Sequence, residues 1–242
     1  MYSVYMKPFD VTQGKLSIVA TPIGNLEDLT LRALRTLKEC DGIYAEDTRV
    51  ISKLLARYEI KKPLQRLDAT TEIKKADEII ARLESGEHIA FVSDAGTPCI
   101  SDPGARLVAR VREQVARATL ATKIKIEAIP GPSALTAALS ISGIDATKFT
   151  FLGFLPNKKG RQTAFKEIAD EKSAVIFYES PHRIEKTLAS LAEVAPMRHI
   201  AICRELTKIH EEVISGSVAE VQTYFTNHPD HIRGEFVVIV MP

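Results

Sequence analysis

The chain has 242 residues, of which 45% are hydrophobic and 26% are charged, and its formal net charge at pH 7 is +1. This length supports one large domain or two modest ones, and the composition is that of an ordinary globular protein. The near-zero charge argues against a strongly basic nucleic-acid-binding protein, although it is compatible with a local basic patch.

The cysteine pattern and the hydropathy favour a cytoplasmic protein. Cys40, Cys99 and Cys203 lack the spacing of a zinc site, so no metal centre is predicted, and their odd number argues against a disulfide framework. No apolar run reaches the ~20 residues of a membrane span, and the N-terminus lacks the apolar segment of a signal peptide. We therefore expect a protein without membrane contact.

Short β-branched runs alternate with amphipathic segments through the first half of the chain. Strands are predicted at 16–20, 42–45, 64–67, 89–93 and 124–129, with helices around 31–37, 51–55, 76–83 and 105–115. Apolar strands that alternate with helices are typical of a mainly parallel sheet covered on both faces. Residues 13–131 are thus predicted to form an α/β domain.

The Pro130-Gly131-Pro132 segment must interrupt regular structure, and a small-residue helix is predicted from near Ser133. The alternation then resumes, which predicts a second α/β domain with a mixed sheet over 132–242. Its strands are predicted at 149–154, 174–178, 200–203, 212–214 and 236–241, and its further helices at 163–169, 184–192 and 218–225.

The unusual residues of the first domain follow its strands. These loops read TPIGNLEDL, EDTR, SDAGTPCISDPG and PGPSA. Because open α/β sheets bind ligands beyond the carboxyl ends of their strands, we expect the four loops to converge on one edge and form a binding cleft. In the longest loop, Asp102 and Pro103 are predicted to be the N-cap and the first residue of the next helix.

The loops contain neither a G-x-G-x-x-G sequence nor a P-loop, which disfavours a dinucleotide. They offer backbone groups, small hydroxyls and apolar side chains, which would suit a nucleoside with an amino-acid tail. The hydroxyls are those of Thr21, Ser93, Thr97, Ser101 and Ser133, and the apolar side chains are those of Ile100, Ala134 and Leu135.

Eight strings carry a resemblance to a known family. They are VATPIGNLEDLTLRAL, AEDTR, FVSDAGTPCISDPG, IPGPSA, GFLPNKKGRQ, FYESPHRIEKTL, CRELTKIHEE and GEFVVIV. In this order they resemble the tetrapyrrole methylase family, and within it the branch that methylates small subunit ribosomal RNA. The resemblance extends from Gly14 almost to the end of the chain. The sequence LDATTE departs from the branch's usual His-Asn-Glu and keeps only Glu72.

The resemblance implies a class III methyltransferase fold of two α/β domains, with S-adenosyl-L-methionine in the cleft between them, in a homodimer. It further implies methyl transfer to the ribose 2′-oxygen of a cytidine in the decoding region of 16S ribosomal RNA. The cofactor contacts that it implies are Pro22, Ser93, Asp94, Gly96, Thr97, Pro98, Ile100, Ser101, Ser133, Ala134, Tyr178 and Gly234.

Methyl transfer from a sulfonium is an in-line displacement, in which positioning can supply ~7 to 11 kcal/mol. A ribose hydroxyl is a weak nucleophile, so hydrogen bonding or proton removal should assist it. The candidate catalytic residues are Glu46, Asp47, Arg49, Glu179, Glu205 and Lys208. Acids at strand ends also cap helices or pair with arginines; for Asp47 we favour capping, and for Arg49 a clamp on a phosphate or carboxylate.

A basic loop in the second domain indicates RNA binding, because RNA phosphates require neutralisation. The candidate RNA-binding residues are Lys158, Lys159, Arg161, His182, Arg183 and Arg204. A solvated turn is the alternative for the lysines, and a helix cap the alternative for His182. Tyr178 or Phe154 could stack on a base, although we expect Phe154 to lie in the core.

Two other functions stay open. One is a tetrapyrrole or precorrin methyltransferase of the same fold, against which the basic PNKKGR loop and AEDTR argue. The other is a catalytically silent module that binds S-adenosylmethionine or RNA. Methylation assays on small subunits and on uroporphyrinogen separate these possibilities.

Overall fold

The computed structural model describes residues 13–117, 124–145 and 147–242. The chain divides into two compact units. One contains the described residues up to Pro22 together with Leu26–Pro132, and the other contains Ile23–Asn25 together with Ser133–Pro242. We call them the N-terminal and the C-terminal unit.

The N-terminal unit is a five-stranded sheet in the order β3-β2-β4-β1-β5, and every strand pair is parallel. Its elements are β1 (Lys15–Val19), a 3₁₀ turn (Leu26–Asp28), α1 (Leu31–Glu39), β2 (Gly42–Ala45), α2 (Thr48–Arg57), β3 (Leu64–Arg66), α3 (Glu72–Glu84), β4 (His88–Val92), α4 (Ala105–Arg117) and β5 (Lys125–Ile129). The predicted α/β class is confirmed, and parallel pairing brings the carboxyl ends of these strands to one edge.

Both faces of the inner strands β2 and β4 are buried, which explains why these strands are apolar almost throughout. Ile43 packs with α1 and α2 on one face, whereas its neighbour Tyr44 packs with α3 and α4 on the other. Ala90 and Phe91 repeat the division in β4. The rigid core therefore lies directly beneath the loops that follow the strands.

The C-terminal unit is a mixed sheet in the order β6-β7-β10-β8-β9. Its elements are α5 (Ala134–Ile141), β6 (Phe149–Phe154), α6 (Arg161–Asp170), β7 (Ala174–Glu179), α7 (Ile184–Val194), β8 (His199–Arg204), β9 (Glu212–Ser217), α8 (Val218–Asn227), a second 3₁₀ turn (Pro229–His231) and β10 (Phe236–Val240). β6 and β7 are parallel, and the other pairs are antiparallel. The central strand β10 is buried along its whole length.

Helices cover both faces of this second sheet. α6, α7 and α8 pack on one face, and α5 packs on the other. In the part of the chain that the structure describes, no helix is long and apolar enough to cross a membrane.

Candidate active site

The loops after β1 and β4 are joined by a two-residue bridge beyond their strands. Thr21 N–H donates to the Gly96 carbonyl over 2.9 Å, and Gly96 N–H donates back over 3.0 Å. The Thr21 hydroxyl also donates to the carbonyl of Ser93 over 3.4 Å, and Ser93 is fully buried. The bridge places Pro22 beside this part of the long loop.

Two more contacts join the remaining loops. Asp94 Oδ1 accepts the backbone N–H of Asp47 over 2.8 Å, which joins the β2 and β4 loops. The Thr97 hydroxyl donates to the Pro132 carbonyl over 3.1 Å, which joins the β4 and β5 loops. The four loops selected from the sequence thus meet at one edge of the N-terminal sheet, and we call this edge the strand-end rim.

The long loop holds unusual backbone conformations around one exposed apolar side chain. Cys99 and Ser101 have φ of 70° and 66°, values that non-glycine residues seldom adopt. Ile100 lies between them with 40% of its surface exposed, whereas Pro98 is buried. Each such conformation costs about 1–3 kcal/mol and persists only where surrounding contacts impose it. The contacts around the loop therefore hold Ile100 in place as an exposed apolar surface on the rim.

The predicted cap of α4 was wrong. α4 begins at Ala105, after Gly104, so Asp102 is too far upstream to cap it. The capping acceptor is Glu72 from α3, whose Oε1 accepts the N–H groups of Gly104 at 2.9 Å and Leu107 at 2.8 Å. Glu72 is only 3% exposed. Its carboxylate receives hydrogen bonds from the free N–H groups at the positive end of α4, which compensate for the lost contact with water.

Gly104 explains why the cap comes from another helix. Its φ is 118°, and a Cβ at this position would lie 2.4 Å from Phe91 Cε1 and 2.8 Å from Cys99 Sγ. The chain thus enters α4 in a conformation that requires glycine and leaves no place for a local capping side chain. Glu72 and Gly104 are site-forming residues that the sequence analysis did not assign.

Several acidic groups lie at the rim, and two of them, Glu46 and Asp102, have raised pKa values. Burial raises the pKa of Glu46 to about 7, and the negative charges of Asp94 and Asp102 add to the rise, while Arg66 opposes it. Burial likewise raises the pKa of Asp102 to about 6; a hydrogen bond with Ser93 opposes the shift, and the charge of Asp94 adds to it. The rim therefore favours a positively charged ligand.

Asp47 caps α2, as the sequence analysis favoured. Its Oδ1 accepts the backbone N–H of Arg49 over 2.9 Å, and its carboxylate also binds the Arg49 guanidinium. Hydrogen bonds from Arg49 lower the pKa of Asp47 to about 2, so it is a poor proton acceptor at neutral pH. The Arg49 side chain is 86% exposed and so remains accessible to an anionic ligand.

Glu179 forms the centre of a buried polar network at the end of β7. Its Oε1 accepts the Ser180 N–H over 2.7 Å and pairs with Arg183 Nε at 2.6 Å. Its Oε2 accepts the Thr187 hydroxyl over 2.6 Å and lies 3.7 Å from Arg161. The side chain has no exposed surface. These contacts support a structural role, and a catalytic role for Glu179 stays a prediction.

The β8–β9 turn holds the other candidate acid. Lys208 Nζ lies 2.8 Å from Glu205 Oε1 and 3.0 Å from Glu235 Oε2. Burial would raise the pKa of Glu205, but hydrogen bonds from Lys208 and from the Glu235 N–H outweigh it and lower the pKa. A Cβ at Gly234, whose φ is 83°, would lie 2.1 Å from Glu205 Oε1, so glycine is required beside this pair.

The candidate RNA-binding residues fall into two groups. Lys158, Lys159 and His182 are exposed. Arg161 and Arg183 are directed to Glu179, and Arg183 also donates to the Leu155 carbonyl.

Arg204 is the most enclosed of the candidate cations in the described part of the chain. It is 4% exposed and pairs with Glu212 over 2.9 Å. Its burial gives no support to direct RNA contact, and the sequence alone did not reveal that Glu212 would hold it.

The aromatic and α5 candidates belong to the C-terminal unit. Phe154 is 58% exposed, so its expected core position was wrong; it forms an edge contact with Tyr178 at 5.4 Å between ring centroids. Its position at the end of an edge strand explains the exposure. Ser133 precedes α5 without capping it through its hydroxyl, and Ala134 is the first residue of that helix.

A family model described as Tetrapyrrole (Corrin/Porphyrin) Methylases matches residues 15–222. The protein named Ribosomal RNA small subunit methyltransferase I of Xylella fastidiosa is 49% identical to this chain, covering 95% of the chain and 82% of that protein. The protein of the same name from Thermotoga maritima is 45% identical, covering 94% of the chain and 98% of that protein.

Two solved structures share the fold. A uroporphyrin-III-C-methyltransferase from Thermus thermophilus superimposes with a TM-score of 0.62 at 20% identity, covering 94% of each chain. A cobalt precorrin-4 methyltransferase superimposes with a TM-score of 0.66 at 14% identity, also over 94% of each chain. At such identities the similarity concerns the fold and leaves the substrate undetermined.

Proposed function

Because the chain belongs to the tetrapyrrole methylase family and, within it, to the ribosomal RNA small subunit methyltransferase I group, we propose that it methylates small subunit ribosomal RNA. The donor is S-adenosyl-L-methionine, and the acceptor is the ribose 2′-oxygen of a cytidine in the decoding region of 16S RNA. The observation that carries this proposal is the 49% identity to a protein of that name over 95% of the chain.

The residues of the strand-end rim fit this donor. Backbone groups and hydroxyls of the Ser93–Ser101 segment suit the nucleoside and amino-acid ends, and Ile100 supplies an apolar contact. The acids Asp94 and Asp102 lie close enough for the charge of Asp94 to raise the pKa of Asp102, and together they complement the positive charge of the donor. When bound, the donor supplies an electrophilic methyl group on a positively charged sulfur.

Glu46 is the residue that we propose accepts the proton of the ribose hydroxyl. It directly follows β2, at the rim, and its pKa of about 7 suits a base that works near neutral pH. The other acids are less suited, because Asp47 is held by Arg49, Glu205 by Lys208, and Glu179 is fully enclosed. Arg49 would hold the RNA phosphate or orient it toward the rim.

The direct test is methyl transfer to purified small subunits that lack the modification. We expect label from tritiated S-adenosylmethionine to enter the RNA, and nuclease digestion with mass spectrometry to identify 2′-O-methylcytidine. Uroporphyrinogen serves as the comparison substrate. Donor binding without label in RNA would support a silent module, and label in the tetrapyrrole alone would support the precorrin-type enzyme; either result would overturn the proposal.

Glu46→Gln is expected to lower the transfer rate about 100-fold, because proton transfer by a positioned residue contributes 10² to 10⁴. The wild-type rate should rise with pH through about 7, since a base works only when deprotonated, and the variant should lose this rise. Single-turnover pH profiles with saturating donor and RNA measure both effects. An unchanged profile in the variant would exclude Glu46 as the base.

Arg49→Ala is expected to lower transfer much more than donor affinity. Its guanidinium is exposed and contacts Asp47, so its removal leaves the rim in place and takes away an anion-binding group. Donor affinity by calorimetry and transfer at subsaturating RNA measure the two quantities separately. An equal loss of both would contradict a position on the RNA side, and Arg49→Lys tests the need for the planar group.

Two further properties belong to this proposal. A homodimer is predicted by the resemblance, and light scattering should then give twice the chain mass of 26.7 kDa. A cytoplasmic location is supported by the free cysteines Cys40, Cys99 and Cys203, which suit a reducing compartment.

A further inference from the structure

We propose that a basic groove on the C-terminal unit binds phosphates of the RNA substrate, an inference that rests on the proposed function. The groove has a volume of about 570 Å³ and lies where the loop after β6 and the start of α6 meet α7. Its polar lining comprises Lys158, Lys159, Arg161, Gln162, Thr163, Lys186 and Ser190. We call it the basic groove.

The lining of the basic groove contains cations and no carboxylate. Lys158, Lys159 and Lys186 are exposed, and none forms an ion pair within 4.0 Å among the residues that the structure describes. Lys186 comes from α7, 27 residues after Lys159, so the cluster is assembled by the fold. Three uncompensated positive charges around one depression favour a polyanion.

The remaining lining groups are hydrogen-bond donors suited to phosphate oxygens. The hydroxyls of Thr163 and Ser190 and the amide of Gln162 complete the polar surface. Thr163 and Gln162 also belong to the first turn of α6, a helix of ten residues whose N-cap, Gly160, contributes no side-chain cap. The start of this helix adds partial positive charge from its dipole.

Arg161, which also lines the groove, and the neighbouring Arg183 anchor its walls. Arg161 donates to the Thr187 hydroxyl over 2.7 Å and lies over the Phe165 ring at 5.1 Å, which anchors the start of α6 to α7. Arg183 holds the preceding loop through the Leu155 carbonyl over 2.9 Å. The arginines thus position the lysines, which are left to bind the ligand. This division revises the role of Arg161 and Arg183 and adds Lys186.

Lys186→Glu and the double variant Lys158→Glu/Lys159→Glu test the basic groove. The matched control is Lys166→Glu, which makes the same charge change at an exposed position of α6 outside the lining. Binding of labelled small subunit RNA is measured by fluorescence anisotropy between 50 and 300 mM KCl, about the range in which phosphate contacts are salt-sensitive. Circular dichroism and donor calorimetry verify the fold and the rim.

We expect Lys186→Glu to weaken RNA binding about tenfold and to reduce the slope of log K against log[salt] by about 1, because a lysine–phosphate contact contributes about that much. Transfer should show a raised KM for RNA with unchanged kcat. The control should change binding less than twofold.

If the groove variants have the same RNA affinity and salt slope as Lys166→Glu, the proposal that the groove binds RNA is overturned. This outcome includes the case in which the groove binds free phosphate or an acidic protein segment instead. Replacing chloride by inorganic phosphate at constant ionic strength identifies the free-anion case. In that case phosphate would stabilise the wild-type protein, whereas the groove variants would bind RNA as well as the control does. Failure of the wild-type protein to methylate RNA would instead overturn the proposed function, so the two failures are distinct.

Discussion

Replacing Glu179 with alanine is expected to lower the free energy of unfolding of the C-terminal unit by about 3–5 kcal/mol, the range for breaking a buried ion pair. The substitution leaves the Arg183 and Arg161 guanidiniums, which are 20% and 16% exposed, without their shared carboxylate. It also removes the acceptor of the Thr187 hydroxyl. Urea denaturation followed by circular dichroism, with hydrogen exchange across β7 and α7, measures the loss.

Two further variants identify the cause of that loss. Glu179→Gln keeps the side-chain volume and one acceptor oxygen, so it should recover part of the stability. Glu185→Ala, at an exposed acid in the first turn of α7, should cost less than about 1 kcal/mol. A loss for Glu179→Ala as small as that for Glu185→Ala would show that the buried network contributes little.

The second large effect is expected at the rim, where Gly104→Ala should destabilise the N-terminal unit by about 3 kcal/mol. A Cβ there must avoid Phe91 Cε1 at 2.4 Å and Cys99 Sγ at 2.8 Å while the backbone stays at φ 118°. Such overpacking and backbone strain each cost about 1–3 kcal/mol. Because Gly104 N–H is also bound by Glu72, the loop should shift, and donor affinity should fall at least about tenfold.

Gly143→Ala is the matched control for this prediction. Gly143 also has a positive φ, 71°, but nothing lies within 4 Å of its added Cβ. Its substitution should cost about 1–2 kcal/mol, the value for a left-handed alanine, and leave donor affinity unchanged. Equal stability losses in both variants would show that the contact with Phe91 does not contribute to the loss of unfolding free energy. Unchanged donor affinity in Gly104→Ala would show that this turn does not contribute to donor binding.

The sequence was sufficient for the elements of the fold because its signals are local. Apolar periodicity and the Pro130-Gly131-Pro132 interruption gave the order of strands and helices. The convergence of the strand-end loops also followed, since parallel strands with helical crossovers place their carboxyl ends on one edge.

Contacts between elements distant in the sequence could not be predicted. The Asp102-Pro103 pair has the local signature of a helix start, yet Glu72, some 30 residues earlier, caps α4. The available sign was an acid in the first turn of α3, Glu72, but the sequence alone does not show that this acid is buried. The core position predicted for Phe154 was wrong for the same reason, because its exposure depends on neighbouring strands, as does the pairing of Arg204 with Glu212.

The position of β10 has a consequence for biosynthesis. This strand pairs with β7 on one side and β8 on the other, although residues 236–240 are made after both of them. The nascent chain can close its first sheet once β5 has emerged, while β7 and β8 must wait, unpaired at their facing edges, for the final strand. Translation therefore imposes an order of maturation, and the C-terminal unit is the one exposed to aggregation or chaperone capture before β10 emerges.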